Sequence, residues 1–107
     1  MFTIDINTED FELRVTLNYT DGKNNFTFSP ECNFAVKNFN LETDTSLDML
    51  PSNGECNIHW NEDYISFKVV NAVGDGGSSY FSVPNTPEVL KSLKECIAIW
   101  KEKAEAL

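Results

Sequence analysis

Apolar and polar residues alternate over the first 28 positions of the chain. The apolar positions are Phe2, Ile4 and Ile6, then Phe11, Leu13, Val15, Leu17 and Tyr19, then Phe26 and Phe28. A period of two is typical of strands that bury one face. Asp21-Gly22, followed by Lys23-Asn24-Asn25, is typical of a turn. The pattern therefore predicts three strands in a meander.

The pattern is less regular in the next part of the chain. The apolar positions are Cys32, Phe34 and Val36 on one parity and Phe39 and Leu41 on the other. We expect a strand over the first group, with a bulge or the strand end near Lys37-Asn38. Residues 42–54 follow neither period and end in Pro-Ser-Asn-Gly, which predicts a loop with one helical turn.

Alternation returns between residues 55 and 83. The apolar positions are Cys56, Ile58 and Trp60, then Ile65, Phe67 and Val69, then Phe81 and Val83. Asn61-Glu62-Asp63 and the glycine-rich residues 74–77 are typical turn sequences. We predict a second meander of three strands.

After Pro84 the period changes to 3.6. Thr86-Pro87-Glu88 is typical of a helix start, with a capping hydroxyl, a proline at the first helical position and an acid near the positive end of the dipole. The apolar stripe consists of Val89, Leu90, Leu93, Ile97, Trp100 and Ala104. We predict one α+β domain over residues 1–107. It comprises six to seven antiparallel strands in meanders over 1–85, as a sheet or partly open barrel, covered by an amphipathic helix over 86–107.

This order of elements is similar to that of pleckstrin-homology-like domains, in which two packed meanders precede a C-terminal helix that carries a Trp, as Trp100 does here. Members of that family that bind phosphoinositides use a basic cluster around the first hairpin. Here that hairpin offers only Arg14 and Lys23, among acids at Asp10, Glu12 and Asp21. The resemblance therefore implies a fold, and we do not expect lipid binding.

The net charge narrows the classes of partner. The chain has 107 residues and a formal charge of −9, from 8 Lys and Arg against 17 Asp and Glu. Each phosphate contact needs a cation, so this balance argues against nucleic acid and against anionic membranes. No apolar run is long enough to span a bilayer, and the first residues do not resemble a secretory signal. We expect a cytoplasmic location, which also agrees with an odd number of cysteines.

No motif predicts catalysis, a cofactor or a metal. Cys56 and His59 form a C-x-x-H, which Cys32 and Cys96 could complete as a zinc site. Residues three apart on a strand point to opposite faces, so we expect buried cysteines and an exposed, inert histidine. No nucleophile motif accompanies His59, the only histidine, and we expect no enzyme.

The excess of acid is concentrated in residues 38–67, which contain no Lys or Arg. The acidic residues there are Glu42, Asp44, Asp48, Glu55, Glu62 and Asp63. One interpretation is an ordinary solvated surface that keeps the protein soluble. The other is a surface that attracts a basic protein, with Phe39, Trp60, Tyr64 and Tyr80 as aromatic anchors where exposed.

We therefore predict a non-enzymatic acidic protein-binding module, with these six acids as its contacts. The favoured class is an immunity-type or antitoxin-type inhibitor that masks the basic site of a toxin such as a nuclease. The alternative is a structural or adaptor protein, such as a secretion chaperone or a viral accessory protein, that acts as a homodimer through the helix or a strand edge.

Overall fold

The computed structural model describes residues 1–10, 12–30, 33–49, 54–71 and 78–107. Within them the strands are β1 (Phe2–Glu9), β2 (Glu12–Thr20), β3 (Asn25–Phe28), β4 (Ser46–Met49), β5 (Gly54–Trp60), β6 (Tyr64–Asn71) and β7 (Ser78–Pro84). A 3-10 helix spans Asn33–Asn38, and the α-helix α1 spans Pro87–Ala106. The strands form two antiparallel sheets, in the orders β1-β2-β3 and β4-β5-β6-β7. The predicted α+β class, with meanders and one C-terminal helix, is confirmed.

The three-stranded sheet follows the predicted alternation. On β2 the residues of one parity from Leu13 to Tyr19 are buried, while the residues between them are half-buried or exposed. The predicted turn between β2 and β3 is also present. Asp21 Oδ1 accepts hydrogen bonds from the backbone N–H of Lys23 at 2.9 Å and of Asn24 at 2.7 Å. Gly22 has a φ of 86°, a conformation that glycine adopts without a Cβ penalty.

The predicted second meander of three strands is confirmed as β5, β6 and β7, and β4 adds a fourth strand to the same sheet. β5, β6 and β7 pair in chain order, with Ile58 opposite Phe67 and Phe67 opposite Phe81. The inner faces of β5 and β6 carry the buried residues Cys56, Ile58, Trp60, Ile65 and Phe67. The predicted glycine turn at 74–77 lies outside the described residues.

The expectation of a strand over 32–36 is wrong for the part of it that is described. Residues 33–38 form the 3-10 helix, and Cys32 lies outside the described residues. Val36 is fully buried whereas Phe34 is 40% exposed, so these two residues share no buried face. Val36 and Phe39 instead have the three-residue spacing of a 3-10 turn, and Phe39 N donates to Val36 O at 3.0 Å. This turn explains the change of parity.

The expectation of a loop over 42–54 is wrong at residues 46–49, which form β4. Leu47 lies opposite Ile58, and Met49 lies opposite Cys56. Both β4 side chains are buried, at 3% and 0% exposure. Two apolar residues among polar neighbours are too few for a recognisable period, and the pairing with β5 stabilises this strand.

The helix begins as predicted, because Thr86 has an extended backbone and its Oγ1 accepts a hydrogen bond from Val89 N at 3.3 Å. Its buried stripe is Ser92, Leu93, Cys96, Ile97, Trp100 and Ala104. α1 packs against β1, β2 and the 3-10 helix, so it covers the three-stranded sheet on one side and the connection to β4 on the other.

Aromatic side chains join the inner faces of the two sheets. Phe2 and Phe67 have ring centroids 5.5 Å apart, and Phe26 stacks on Phe81 at 3.9 Å with an interplanar angle of 5°. Phe28 also contacts Phe67, at 5.2 Å. Offset and tilted ring pairs add about 0.5–1.5 kcal/mol each beyond area burial, so this cluster holds the two meanders together.

Candidate interaction surface

Two acidic turns lie at the same end of the four-stranded sheet. The first precedes β4, and the second joins β5 to β6. Ser46 lies opposite His59, and Trp60 N donates to Thr45 O at 2.9 Å. The end of β5 is therefore held beside the start of β4, which brings together acids about 20 positions apart in the chain. We name Glu42, Asp44, Glu62 and Asp63 the acidic rim.

The first of these turns is stabilised by its own polar groups. Asn40 N donates to Asp44 Oδ2 at 2.8 Å, while Asp44 N donates to Asn40 O at 2.9 Å. Glu42 N donates to Asn40 Oδ1 at 2.9 Å. Asp44 is half-buried and stabilises the turn, whereas the side chain of Glu42 is exposed.

The second turn is an Asx turn built on Asn61. Its Oδ1 accepts hydrogen bonds from Asp63 N at 2.8 Å and from Tyr64 N at 3.0 Å. Asn85, just before α1, donates from Nδ2 to Asn61 O at 2.6 Å and from its backbone N to Asp63 O at 3.0 Å. Glu62 and Asp63 are thus presented, exposed, on a turn that is fixed to the start of the helix.

The other two predicted contacts lie on the outer face of the sheet. Asp48 is opposite Asn57, one strand over. Glu55 Oε2 forms an ion pair with Lys68 Nζ at 3.0 Å, with both side chains about half exposed. Lys68 directly follows residues 38–67, the stretch without Lys or Arg. Because β6 pairs with β5, its positive charge nevertheless lies beside Glu55 of that stretch. The structure therefore separates the six acids into a rim of four and two on the sheet face.

Two of the four aromatic candidates are buried, and the other two are exposed. Phe39 and Trp60 are buried, at 3% and 4% exposure, and their rings meet edge to face at 5.9 Å. Tyr64 is 42% exposed and follows Asp63 directly in the chain, so it is the exposed aromatic residue next to the acidic rim in sequence. Tyr80 is 66% exposed but lies on β7, away from the acidic turn that precedes β4.

Cys56 and His59 lie on opposite faces of β5, as predicted, with the thiol buried and the imidazole exposed. Cys96 is buried on α1. Burial, reinforced by the neighbouring Glu95 carboxylate, raises the pKa of the Cys96 thiol to about 11. A thiol with that pKa is protonated at neutral pH and is a poor nucleophile or metal ligand. Cys32 lies outside the described residues.

Two structural residues of this surface, Asn40 and Asn85, have no role in the sequence prediction. Asn61 belongs to the predicted turn Asn61-Glu62-Asp63, and the structure shows that its Oδ1 is the acceptor that holds this turn. Asn40 also acts locally, as the acceptor for Glu42 N two residues later, whereas the role of Asn85 depends on its contact with Asn61, 24 positions away in the chain.

Comparison of the chain with protein families, with curated proteins and with solved structures finds no match. No helix among the described residues has both the length and the apolar character needed to cross a membrane.

Proposed function

We propose that the chain is a non-enzymatic binding module whose acidic rim binds a basic protein. The observation that carries this proposal is the hydrogen bond from Trp60 N to Thr45 O, which holds two separate acidic turns side by side. Neither turn contains a Lys or Arg.

The geometry favours fast and oriented binding of cations. Carboxylates clustered at one end of a molecule create a negative field that steers a positively charged partner and raises its association rate by 10- to 1,000-fold. Glu62 and Asp63 are on a turn held by Asn61 and Asn85, so little conformational entropy is lost when they are contacted. Carboxylates also accept paired hydrogen bonds from Arg, and Tyr64, next to Asp63 in the chain, supplies exposed aromatic surface.

Among basic partners, we favour a toxin domain such as a nuclease, with this chain as its immunity-type or antitoxin-type inhibitor. A nuclease groove is lined with cations that contact phosphates, and carboxylates placed in that groove occupy the same positions. The proposal includes a cytoplasmic location, where thiols such as Cys96 stay reduced.

The test is affinity capture from the native host with three baits. They are the wild-type chain, a rim variant (Glu42→Lys, Glu62→Lys, Asp63→Lys) and a control variant (Glu9→Lys, Glu95→Lys, Glu102→Lys). All six side chains are exposed. Each set of three substitutions raises the net charge by six, from −9 to −3. The two variants therefore have the same net charge and differ only in where the substituted residues lie. Asp44 is left unchanged because it stabilises its turn.

We expect a basic protein to be captured by the wild-type and control baits and lost from the rim variant. Its association rate with the rim variant should fall by about tenfold or more at low salt. If the captured protein degrades nucleic acid, the wild-type chain should inhibit it. Equal association of the rim and control variants at low salt would overturn the proposal.

A further inference from the structure

β7 is an edge strand of the four-stranded sheet, and no described strand pairs with its outer side. Asn85 N donates to Asp63 O, and this bond fixes which backbone groups of β7 point toward β6. Because antiparallel pairs alternate between hydrogen-bonded and non-hydrogen-bonded, the groups of Phe81 and Val83 point toward β6. Those of Tyr80 and Ser82 point away from it. In the described part of the chain, no hydrogen bond occupies these outward groups.

The other described edges are shielded. On β1, the outward N–H of Phe2 donates to Ser92 Oγ at 3.0 Å, and Asp5 and Glu9 place negative charge along the strand. β4 carries Asp48 and packs against the 3-10 helix. β3 is only four residues long. Natural sheets protect their edges by such means, since an open edge is a template for pairing with another strand.

β7 lacks these protections over most of its length. It is seven residues long, none of them charged, and Pro84 is at one end. Its solvent face carries Tyr80, which at 66% is the most exposed of the large hydrophobic side chains described. Beneath the strand is a groove of about 350 Å³ between β3 and β7, with Phe26, Phe67 and Val69 in its wall. Val69 is 36% exposed there although it belongs to the inner face.

We propose that β7 pairs antiparallel with β7 of a second copy of this chain. In the register that places Tyr80 opposite Tyr80 of the other copy, Ser78 lies opposite Ser82, and the paired edges form about six backbone hydrogen bonds. Alternate side chains of the added strand, including its Phe81, lie over the apolar groove. The two four-stranded sheets become one continuous sheet.

The backbone pattern of β7 and the charge distribution of the chain both suit a second copy as the occupant. A chain of charge −9 repels its own copies over most of its surface. Between residues 64 and 84 there is one Lys and one Asp, so this region is neutral. The outward backbone groups of β7 are self-complementary, because a two-fold axis at Tyr80 places an N–H of one copy opposite each C=O of the other, and the strand carries no charge that would repel its copy. This dimer uses a different surface from the acidic rim and does not depend on the proposed function.

Analytical ultracentrifugation of the full chain tests the proposal. We expect a reversible dimer, of twice 12.1 kDa, that tightens from 50 mM to 500 mM NaCl because salt screens the repulsion between copies. Binding at the acidic rim should weaken over the same range, which separates the two proposals. A chain that stays monomeric at millimolar concentration in 500 mM NaCl would overturn this one.

The matched variants are Ser82→Pro and Ser46→Pro. Each removes one N–H from an outer edge of the same sheet, on β7 and on β4 respectively, and leaves the internal ladder intact. We expect Ser82→Pro to raise the dimer dissociation constant by at least tenfold and Ser46→Pro to leave it unchanged.

Tyr80→Lys, which places two cations opposite each other across the interface, should also abolish the dimer while keeping the β circular dichroism of the folded chain. Equal dimerisation of wild type, Ser82→Pro and Tyr80→Lys contradicts the proposal.

Discussion

Ser92 Oγ accepts a hydrogen bond from Phe2 N at 3.0 Å and donates one to Val89 O at 2.7 Å. The contact joins the helix near the end of the chain to the first strand, across 90 positions. The Phe2 N–H points away from β2 and would be an unpaired donor next to the core without this hydroxyl. Ser92 is 8% exposed, so water reaches this contact poorly.

Replacing Ser92 by Ala should therefore lower the free energy of unfolding by about 1–3 kcal/mol, the usual penalty for a buried donor without an acceptor. Urea denaturation measures the change. Ser46→Ala, at an exposed position, is the control and should change the free energy by less than about 0.5 kcal/mol. Similar effects at the two positions would show that the Phe2 hydrogen bond contributes little.

Lys101 stabilises the end of the 3-10 helix. Its Nζ donates to Lys37 O at 3.1 Å and to Phe39 O at 2.8 Å, and lies 3.6 Å from Glu105 Oε1. Lys101→Met keeps the aliphatic stem and removes the donors. We expect a loss of about 1–2 kcal/mol in the free energy of unfolding.

Lys103→Met is the matched control for that change. Lys103 is on the same helix and is exposed, and we expect a change within about 0.5 kcal/mol. If the two Met variants unfold at the same urea concentration, Lys101 acts only as a surface charge.

The core face of α1 should be far more sensitive than its outer face. Leu93 is fully buried, whereas Ile99 on the same helix is 46% exposed. Leu93→Ala leaves a cavity and should cost about 2–5 kcal/mol, while Ile99→Ala should stay within about 0.5 kcal/mol. Thermal and urea unfolding check both values, and comparable losses would contradict the packing of this helix.

Asp21 makes the stability of the first meander dependent on pH. Hydrogen bonds from the backbone N–H of Asn24, and then of Lys23, lower the pKa of its carboxyl group from 3.8 to about 2. Asp21 therefore stabilises the fold fully above the pKa of the unfolded chain, near 3.9, and loses that contribution as pH falls through about 2. A carboxyl NMR titration should give a midpoint near 2.

Asp21→Asn tests the same dependence of stability on pH. The amide oxygen of Asn still accepts both hydrogen bonds, but the amide group does not ionise. The stability difference between wild type and this variant should narrow between pH 4 and pH 2. A midpoint near 3.8 together with a constant difference would show that the turn does not select the ionised carboxylate.

Most of the strands could be predicted because their signal is local. On β2, the apolar side chains from Leu13 to Tyr19 alternate without a break, and the side chains of a strand point alternately to its two faces whatever its neighbours are. Thr86-Pro87 at the start of α1 carries a comparably local signal. The 3-10 helix and β4 could not be predicted in this way. β4 has only Leu47 and Met49 to bury, and it becomes a strand because β5 lies beside it.

The sequence by itself determined how much acid the protein carries, which residues supply it and where no base separates them. Only the tertiary structure decided which acids are neighbours. The pairing of β5 with β6 makes Lys68 a diagonal neighbour of Glu55, with which it forms an ion pair. The hydrogen bond from Trp60 N to Thr45 O joins the turn of Glu42 to that of Glu62. The physical reason is that the interaction between two charges depends on the distance between them in space. For residues far apart in the chain, the register of the paired strands sets that distance.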